Sequence, residues 1–235
     1  MTTDKNKGGS RASRVRIKSA KRRGVSSRRW LERQLNDPYV IQAKEEGYRS
    51  RAAFKLLGLD DRFHILAPGS RVVDLGAAPG GWTQVAVERV KAGSPKGGRV
   101  VAVDINGMEL VPDAQVIEAD VLDIDTPALI QEALDGPADI VLSDMASPAT
   151  GHSATDRLRI IGLCEAALAF AEDVLAPDGA FICKVLGSGA DAGLLAAIKR
   201  AFAVVKHAKP PASRDDSAEL FLVATGFRGH KGEET

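Results

Sequence analysis

The sequence predicts an α/β fold with a parallel sheet covered by helices on both faces. Three observations lead there. Strand-like and helix-like patterns alternate from residue 70 to the end. A glycine-rich turn, Gly76 to Gly81, separates the first strand pattern from the helix pattern after it. The chain has 235 residues, 44% of them hydrophobic, which suits one domain with a sizeable core plus short appendages.

Taken in order, residues 1 to about 25 are rich in Gly, Ser, Lys and Arg and lack apolar periodicity, so they predict no structure in isolation. A short helix is predicted over Ser27–Leu35, stopped by Asn36-Asp37-Pro38. A second runs over Ser50–Leu57, with Ser50 as its N-cap. Strand patterns come next at 70–74, 99–104, 115–118, 138–143 and 179–184, with two closing ones at 203–208 and 219–225. Helical patterns fall at 82–91, 126–134, 154–175 and 190–202. The predicted organisation is a basic arm over 1–26, a domain over 27–227 and a short tail over 228–235.

Charge is distributed unevenly. Residues 1–33 hold twelve Lys and Arg against Asp4 and Glu32, a net of +10, whereas the remainder is −9. A basic arm on an acidic body points to a polyanionic partner, or else to a solubilising terminus. No apolar run reaches membrane-spanning length, and no apolar signal region succeeds the basic start. Cys164 and Cys183 have neither disulfide-framework nor metal spacing, which fits a reducing cytoplasm. His64, His152, His207 and His230 are scattered, so no metal is assigned.

The run Asp74-Leu-Gly-Ala-Ala-Pro-Gly-Gly-Trp82 lets main-chain N–H groups approach a ligand closely. Its glycines, Gly76, Gly80 and Gly81, do not have the dinucleotide spacing, and no Gly-Lys-Ser/Thr comes after them. Acids stand at or just after four strand ends: Asp74, Asp104, Asp120 and Asp144. Asp104 suits ribose hydroxyls, and Asp120 lies where an adenine amine would be. A ligand with ribose, an amine and a positive charge but no phosphate fits this rim, and S-adenosylmethionine has all three. Any one of these acids would also serve as a turn former. Trp82 either stacks near the ligand or packs its helix onto the sheet.

These residues, with others, carry a family resemblance over roughly 28–226. The pieces are Tyr48-Arg-Ser-Arg-Ala-Ala-Phe-Lys55-Leu56, the Asp74–Trp82 run, Ser143-Asp144-Met145-Ala146, Phe181-Ile-Cys-Lys184, and Lys209-Pro210 with Ser213-Arg214, Ser217 and Glu219. In that order they resemble the FtsJ/RrmJ family of RNA 2′-O-ribose methyltransferases. The resemblance implies a Rossmann-like methyltransferase fold, with a mostly parallel seven-stranded sheet and an antiparallel last strand. It implies a catalytic tetrad of Lys55, Asp144, Lys184 and Glu219. It also implies donor contacts from Gly80, Trp82, Asp104, Asp120 and Asp144, beside which Asp74 and Gly76 are cofactor candidates. Strand logic agrees independently. Asp144 and Lys184 end predicted parallel strands, at the edge where open α/β sheets bind ligands, and Glu219 reaches that edge if its strand is antiparallel.

The chemistry calls for these residue types. A ribose hydroxyl is a weak nucleophile and must be aligned with the methyl group it attacks. Lys184 is the expected base, which requires a depressed pKa. Asp144 and Glu219 are expected to position it, and Lys55 to position the ribose or a phosphate. A structural salt bridge from Lys184 to Asp144 or Glu219 is the alternative. The place after Asp144 lacks the Asn/Asp-Pro-Pro-aromatic motif of base amino-methylation. Cys183 points away from Lys184's face, which excludes it as a cytosine-attacking thiol.

Arg28, Arg29, Arg33, Arg49, Arg51, Lys206, Lys209 and Arg214 are candidate phosphate contacts. Within the family the compact bacterial form is most similar, which implies a uridine ribose in 23S rRNA on the assembled large subunit, a monomer, and no DNA or membrane partner. One departure is Ser147-Pro148, where the bacterial pattern has Pro-Asn. The alternatives are a tRNA 2′-O-methyltransferase of the same family and a non-catalytic RNA-binding assembly factor.

Overall fold

The computed structural model describes residues 31–32, 34–148, 150–187 and 192–229. The basic arm, with Arg28, Arg29 and Arg33, and most of the C-terminal tail lie outside them. Leu31, Glu32, Gln34 and Leu35 have helical backbone, which breaks at Asn36 as predicted. Beyond the break the chain is helical again almost at once. Helix α1 spans Pro38–Glu46, with Asp37 as N-cap accepting from Tyr39 N at 3.1 Å. The Asp-Pro pair that ends one helix begins another, because proline is tolerated at a first helical position.

Helix α2 spans Ala53–Phe63, six residues beyond the predicted end, and its N-cap is Ala52 rather than Ser50. Gly58 does not break it. A Cβ there would stand 3.2 Å from Pro211 Cδ, so the glycine permits a close approach to the 210–211 segment. The remaining elements are β1 (Arg71–Leu75), α3 (Gly81–Val90), β2 (Arg99–Asp104), β3 (Gln115–Glu118), α4 (Thr126–Leu134), β4 (Ala138–Ser143), α5 (Ser153–Val174), β5 (Leu175–Leu186), α6 (Ala192–Ala201), β6 (Phe202–Ala208) and β7 (Glu219–Phe227).

The seven strands lie in the order β3-β2-β1-β4-β5-β7-β6. The first five are mutually parallel, and β7 runs antiparallel to both β5 and β6. Period-two alternation divides the core between the two faces. Val73, Leu75, Val101, Val103, Val141, Phe181 and Cys183 pack with α4, α5 and α6. Val72, Val100, Ile140, Leu142, Ile182 and Phe221 pack with α2 and α3. Burial on both faces is why these strands read as continuous apolar runs. The strand order reverses at β1, between β2 and β4, where such sheets bind ligands beyond their carboxyl ends. Among the described residues no helix is long and apolar enough to cross a membrane.

Candidate active site

Sheet register assembles the catalytic candidates. Ser143 of β4 pairs with Cys183 of β5, so Asp144 leaves the end of β4 beside Lys184, which stays in β5 opposite Phe221 of β7. Lys184 has the parity of Ile182 and faces α2, which carries Lys55. Leu186 pairs with Glu219 across the antiparallel β5–β7 ladder, bringing the start of β7 to the same edge. The result is a chain of alternating charges. Lys184 Nζ donates to Asp144 Oδ1 at 2.9 Å and to the Asp144 carbonyl at 2.6 Å. Lys55 Nζ lies 3.7 Å from Asp144 Oδ2 and 2.7 Å from Glu219 Oε2. Ser213 Oγ donates to the other Glu219 oxygen at 3.0 Å, and Lys55 sits over the Phe221 ring.

All four predicted residues are therefore together, with one reassignment. Glu219 orders Lys55 and not Lys184, which Asp144 alone holds among these acids. Lys184 is 8% exposed, so its Nζ is constrained by Asp144 rather than by water. On the opposite face Cys164 Sγ donates to the Lys184 carbonyl, and both cysteines are buried. A side-chain hydrogen bond with the free Cys164 thiol, together with burial, pushes the Cys183 thiol well up, away from the reactive thiolate.

Asp144 stands between two cavities. One, of about 850 Å³, is bounded by Leu75, Gly76 and Ala78 of the glycine loop, by Asp104–Asn106, by Asp120–Leu122 and by Asp144–Ser147. The other, of about 480 Å³, is bounded by Ser50–Ala52, Lys55, Ala78, Pro79, Arg214, Asp216, Ser217 and Glu219. Asp144 and Ala78 line both.

The larger cavity brings together three of the four predicted rim acids, Asp104, Asp120 and Asp144. Asp104 Oδ2 accepts from Ala78 N at 3.0 Å and Oδ1 from Asn106 N at 2.8 Å, which fixes the carboxylate at the cavity wall. Asp120 Oδ1 is held by Leu122 N at 3.0 Å. Gly76 has φ +71°, and a Cβ there would fall 2.6 Å from Met145 Cγ, so only glycine keeps this wall in place. Residues 159, 162, 163 and 166 of α5 complete the lining. Their i, i+3, i+4, i+7 spacing is the available signal that one face of that helix belongs to the site.

Three predicted cofactor residues do not line this cavity. The Trp82 indole is buried: Nε1 donates to the Ala52 carbonyl at 2.7 Å and the ring packs on Phe221 at 5.6 Å. Packing is thus the role of the Trp82 side chain. Gly80 is the N-cap of α3, with φ +105°, and abuts Arg49 and Val111. Asp74 is buried beneath the loop. Its Oδ2 accepts from Thr83 Oγ1 at 2.7 Å, and Oδ1 has no partner among the described residues.

Burial pushes the Asp74 carboxyl up to about 7; the nearby Asp144 and Asp104 add to the rise, and the Thr83 hydrogen bond opposes it. The folded chain thus keeps a proton that an exposed aspartate releases near about 4. This contribution to stability is full below about 4 and is lost as pH rises towards 7. Asp74→Asn removes that slope while Asn can still accept from Thr83. Denaturant midpoints measured between pH 4 and 8 are expected to fall less steeply for the variant than for the parent.

Among the described residues, the arginines read from sequence as phosphate contacts are engaged elsewhere. Arg51 and Arg214 both bond Asp37, at 3.0 Å each, and Arg51 also donates to the Ala212 carbonyl. Asp37 thereby ties α1 to the segment before β7. Its position before Pro38 reads as a helix stop, which is why the sequence hides this role. Lys209 donates to the Ser217 carbonyl at 3.0 Å. Arg49 donates to three main-chain carbonyls. Arg51 and Arg214 still line the smaller cavity.

Comparisons with known proteins agree with this fold. The model of the FtsJ-like methyltransferase family matches residues 48–227. The chain is 61% identical over 223 residues to the ribosomal RNA large subunit methyltransferase E of Paramagnetospirillum magneticum, covering 94% of this chain and 91% of that one. It is 57% identical over 226 residues to the protein of the same name from Rhodospirillum rubrum, covering 96% and 86%. Among solved structures, it is similar to a Plasmodium falciparum protein assigned as a ribosomal RNA methyltransferase, with a TM-score of 0.69 at 29% identity, over 77% of this chain and all of that one.

Proposed function

Because the chain belongs to the FtsJ-like methyltransferase family, we propose that it transfers a methyl group from S-adenosylmethionine to the ribose 2′-hydroxyl of a uridine in 23S rRNA on the large ribosomal subunit. The observation that carries this is the chain of alternating charges from Lys184 through Asp144 and Lys55 to Glu219, set where a ligand-sized cavity meets a second cleft.

The larger cavity fits the donor. Asp104 faces the place of a ribose diol, Asp120 that of an adenine amine, and Asp144 that of the cationic end. A wall with three acids and one arginine suits a net-positive ligand and disfavours a pyrophosphate. When bound, the donor supplies an electrophilic methyl group on a sulfonium.

The protein's task is then alignment and proton removal. Lys184, in its amine form, would take the hydroxyl proton as the oxygen bonds the methyl carbon and the carbon–sulfur bond breaks, its electron pair staying on a sulfur that leaves as a neutral thioether. Asp144 orients Lys184 and holds the ammonium that results. Lys55, fixed by Glu219, points a positive charge into the smaller cleft and holds the ribose or its phosphate. Arg51 and Arg214 line the same cleft and extend its positive wall.

In this reading the domain over 27–227 acts as a monomer in the cytoplasm, without DNA or a membrane, and the arm over 1–26 adds sequence-independent affinity for the ribosomal surface. Removing residues 1–25 is expected to weaken RNA binding and to flatten its dependence on salt, because fewer counterions are released. Binding titrations at several salt concentrations check this, and an unchanged slope rejects the role for the arm. The substrate is tested by transfer of labelled methyl to large subunits that lack the mark, with tRNA as the parallel substrate. Label on the subunits alone is expected. Label on tRNA alone makes the protein a tRNA enzyme, and no label on either makes it a non-catalytic binder.

A further inference from the structure

We propose that Arg49 is a positioning residue for the donor cavity: its guanidinium staples the loop after β1 to the loop after β2 and so holds the ribose end of the cavity in its binding shape. This rests on the reading of that cavity as the donor site.

The two loops form adjoining walls, one through Gly76 and Ala78, the other through Asp104, Ile105 and Asn106. At their base they are joined by main-chain bonds from Gly76 N and Ala77 N to the Val103 carbonyl and by Ala78 N to Asp104 Oδ2. Farther out the tie is Arg49. Its Nη1 donates to the Pro79 carbonyl at 3.2 Å and to the Glu109 carbonyl at 2.7 Å, and its Nη2 to the Leu110 carbonyl at 2.6 Å. Arg49 is itself anchored, because its main-chain N donates to Gln84 Oε1 at 2.8 Å and Gln84 Nε2 to the Gly47 carbonyl at 3.0 Å.

Apolar burial holds the second loop only at its far end. Ile105 and Leu110 are 66% and 77% exposed, while Val111 is buried. A planar guanidinium with five N–H donors spans carbonyls from two segments. An ammonium carries its three donors on one nitrogen and does not reproduce the two-nitrogen fork that reaches these three carbonyls. Gly80 makes room for the staple, since a Cβ there would lie 3.0 Å from Arg49 Nη1. Arg49 touches neither cavity, so its effect on the donor is indirect. If the loops adopt the binding shape only a tenth of the time without it, apparent donor affinity falls about tenfold.

The test uses the full chain with Arg49→Lys and Arg49→Ala. S-adenosylmethionine binding is measured by calorimetry without RNA, and KM for unmodified large subunits is measured separately. Both variants are expected to bind the donor about tenfold more weakly, with KM for the subunits within about twofold of the parent's. Hydrogen exchange in the donor-free protein reads the staple directly, and amides of 105–111 are expected to exchange faster in both variants. Parental donor affinity in Arg49→Lys overturns the proposal, as does a rise confined to the subunit KM, which would make Arg49 a charge contact for RNA. Donor binding by the parent tests the reading of the site, and the ratio of variant to parent tests the staple.

Discussion

Lys184→Ala is expected to abolish methyl transfer while leaving S-adenosylmethionine binding within a few-fold of the parent. In the proposed mechanism Lys184 Nζ takes the hydroxyl proton, and a positioned base contributes roughly 10²–10⁴-fold in rate. Lys184 is not among the residues that bound the donor cavity, so the loss should appear in the single-turnover rate and not in the donor Kd. The fold should survive. Deleting one partner of a buried pair is damaging when it strands a charge, but Asp144 keeps Lys55 at 3.7 Å. Melting curves and donor calorimetry on the same preparation separate a catalytic defect from a folding one. A variant that turns over at the parental rate removes Lys184 from the reaction.

Asp144→Asn has the second largest expected effect and a different signature. Asp144 lines both cavities and pairs with both lysines, so neutralising it acts on donor and catalysis together. Lys184 keeps its bond to the carbonyl of residue 144. Its geometry is partly retained, but the carboxylate that stabilises its ammonium is gone. Of the tetrad's two acids only Glu219 then remains, and it pairs with Lys55. Losing a charge-assisted hydrogen bond of about 1.5–3 kcal/mol corresponds to roughly 10–100-fold. A loss of that order is expected in donor affinity and again in single-turnover rate. An unchanged donor Kd would mean that Asp144 serves the lysines alone.

The strands were legible because burial on both faces writes them as short β-branched and aromatic runs. The predicted 99–104 and 138–143 coincide with β2 and β4, and 115–118 coincides with the half-exposed edge strand β3. The acids beyond them were legible for a related reason: charge at the end of a buried strand marks the open edge of the sheet. Helix α1 was hidden because Asp37-Pro38 has the chemistry of a stop and of a start alike. The second half of α2 was hidden because the closeness of Pro211 to Gly58 is a tertiary fact.

The site divided in the same way. Residue type and order named Lys55, Asp144, Lys184 and Glu219, but pairing depends on where α2 lies over the sheet, and that assigned Glu219 to Lys55. A tryptophan beside a glycine loop reads equally as ligand contact or as packing, and the Ala52 carbonyl decides for packing. Arginines are legible as charge only. That Arg49 bonds main-chain carbonyls, and that Arg51 and Arg214 share Asp37, depends on distances no spacing encodes.

The most direct test is the chemical position of the methyl group on the RNA. A 2′-hydroxyl is the internal nucleophile in alkaline RNA cleavage, so a methyl group on that oxygen protects one phosphodiester. Unmodified large subunits are incubated with labelled S-adenosylmethionine, and the 23S rRNA is then hydrolysed with alkali. Label recovered in alkali-resistant dinucleotides with a 5′ uridine is the predicted result, absent when Lys184→Ala replaces the parent. Label released as mononucleotides would place the methyl group on a base and contradict a site built to present a ribose oxygen.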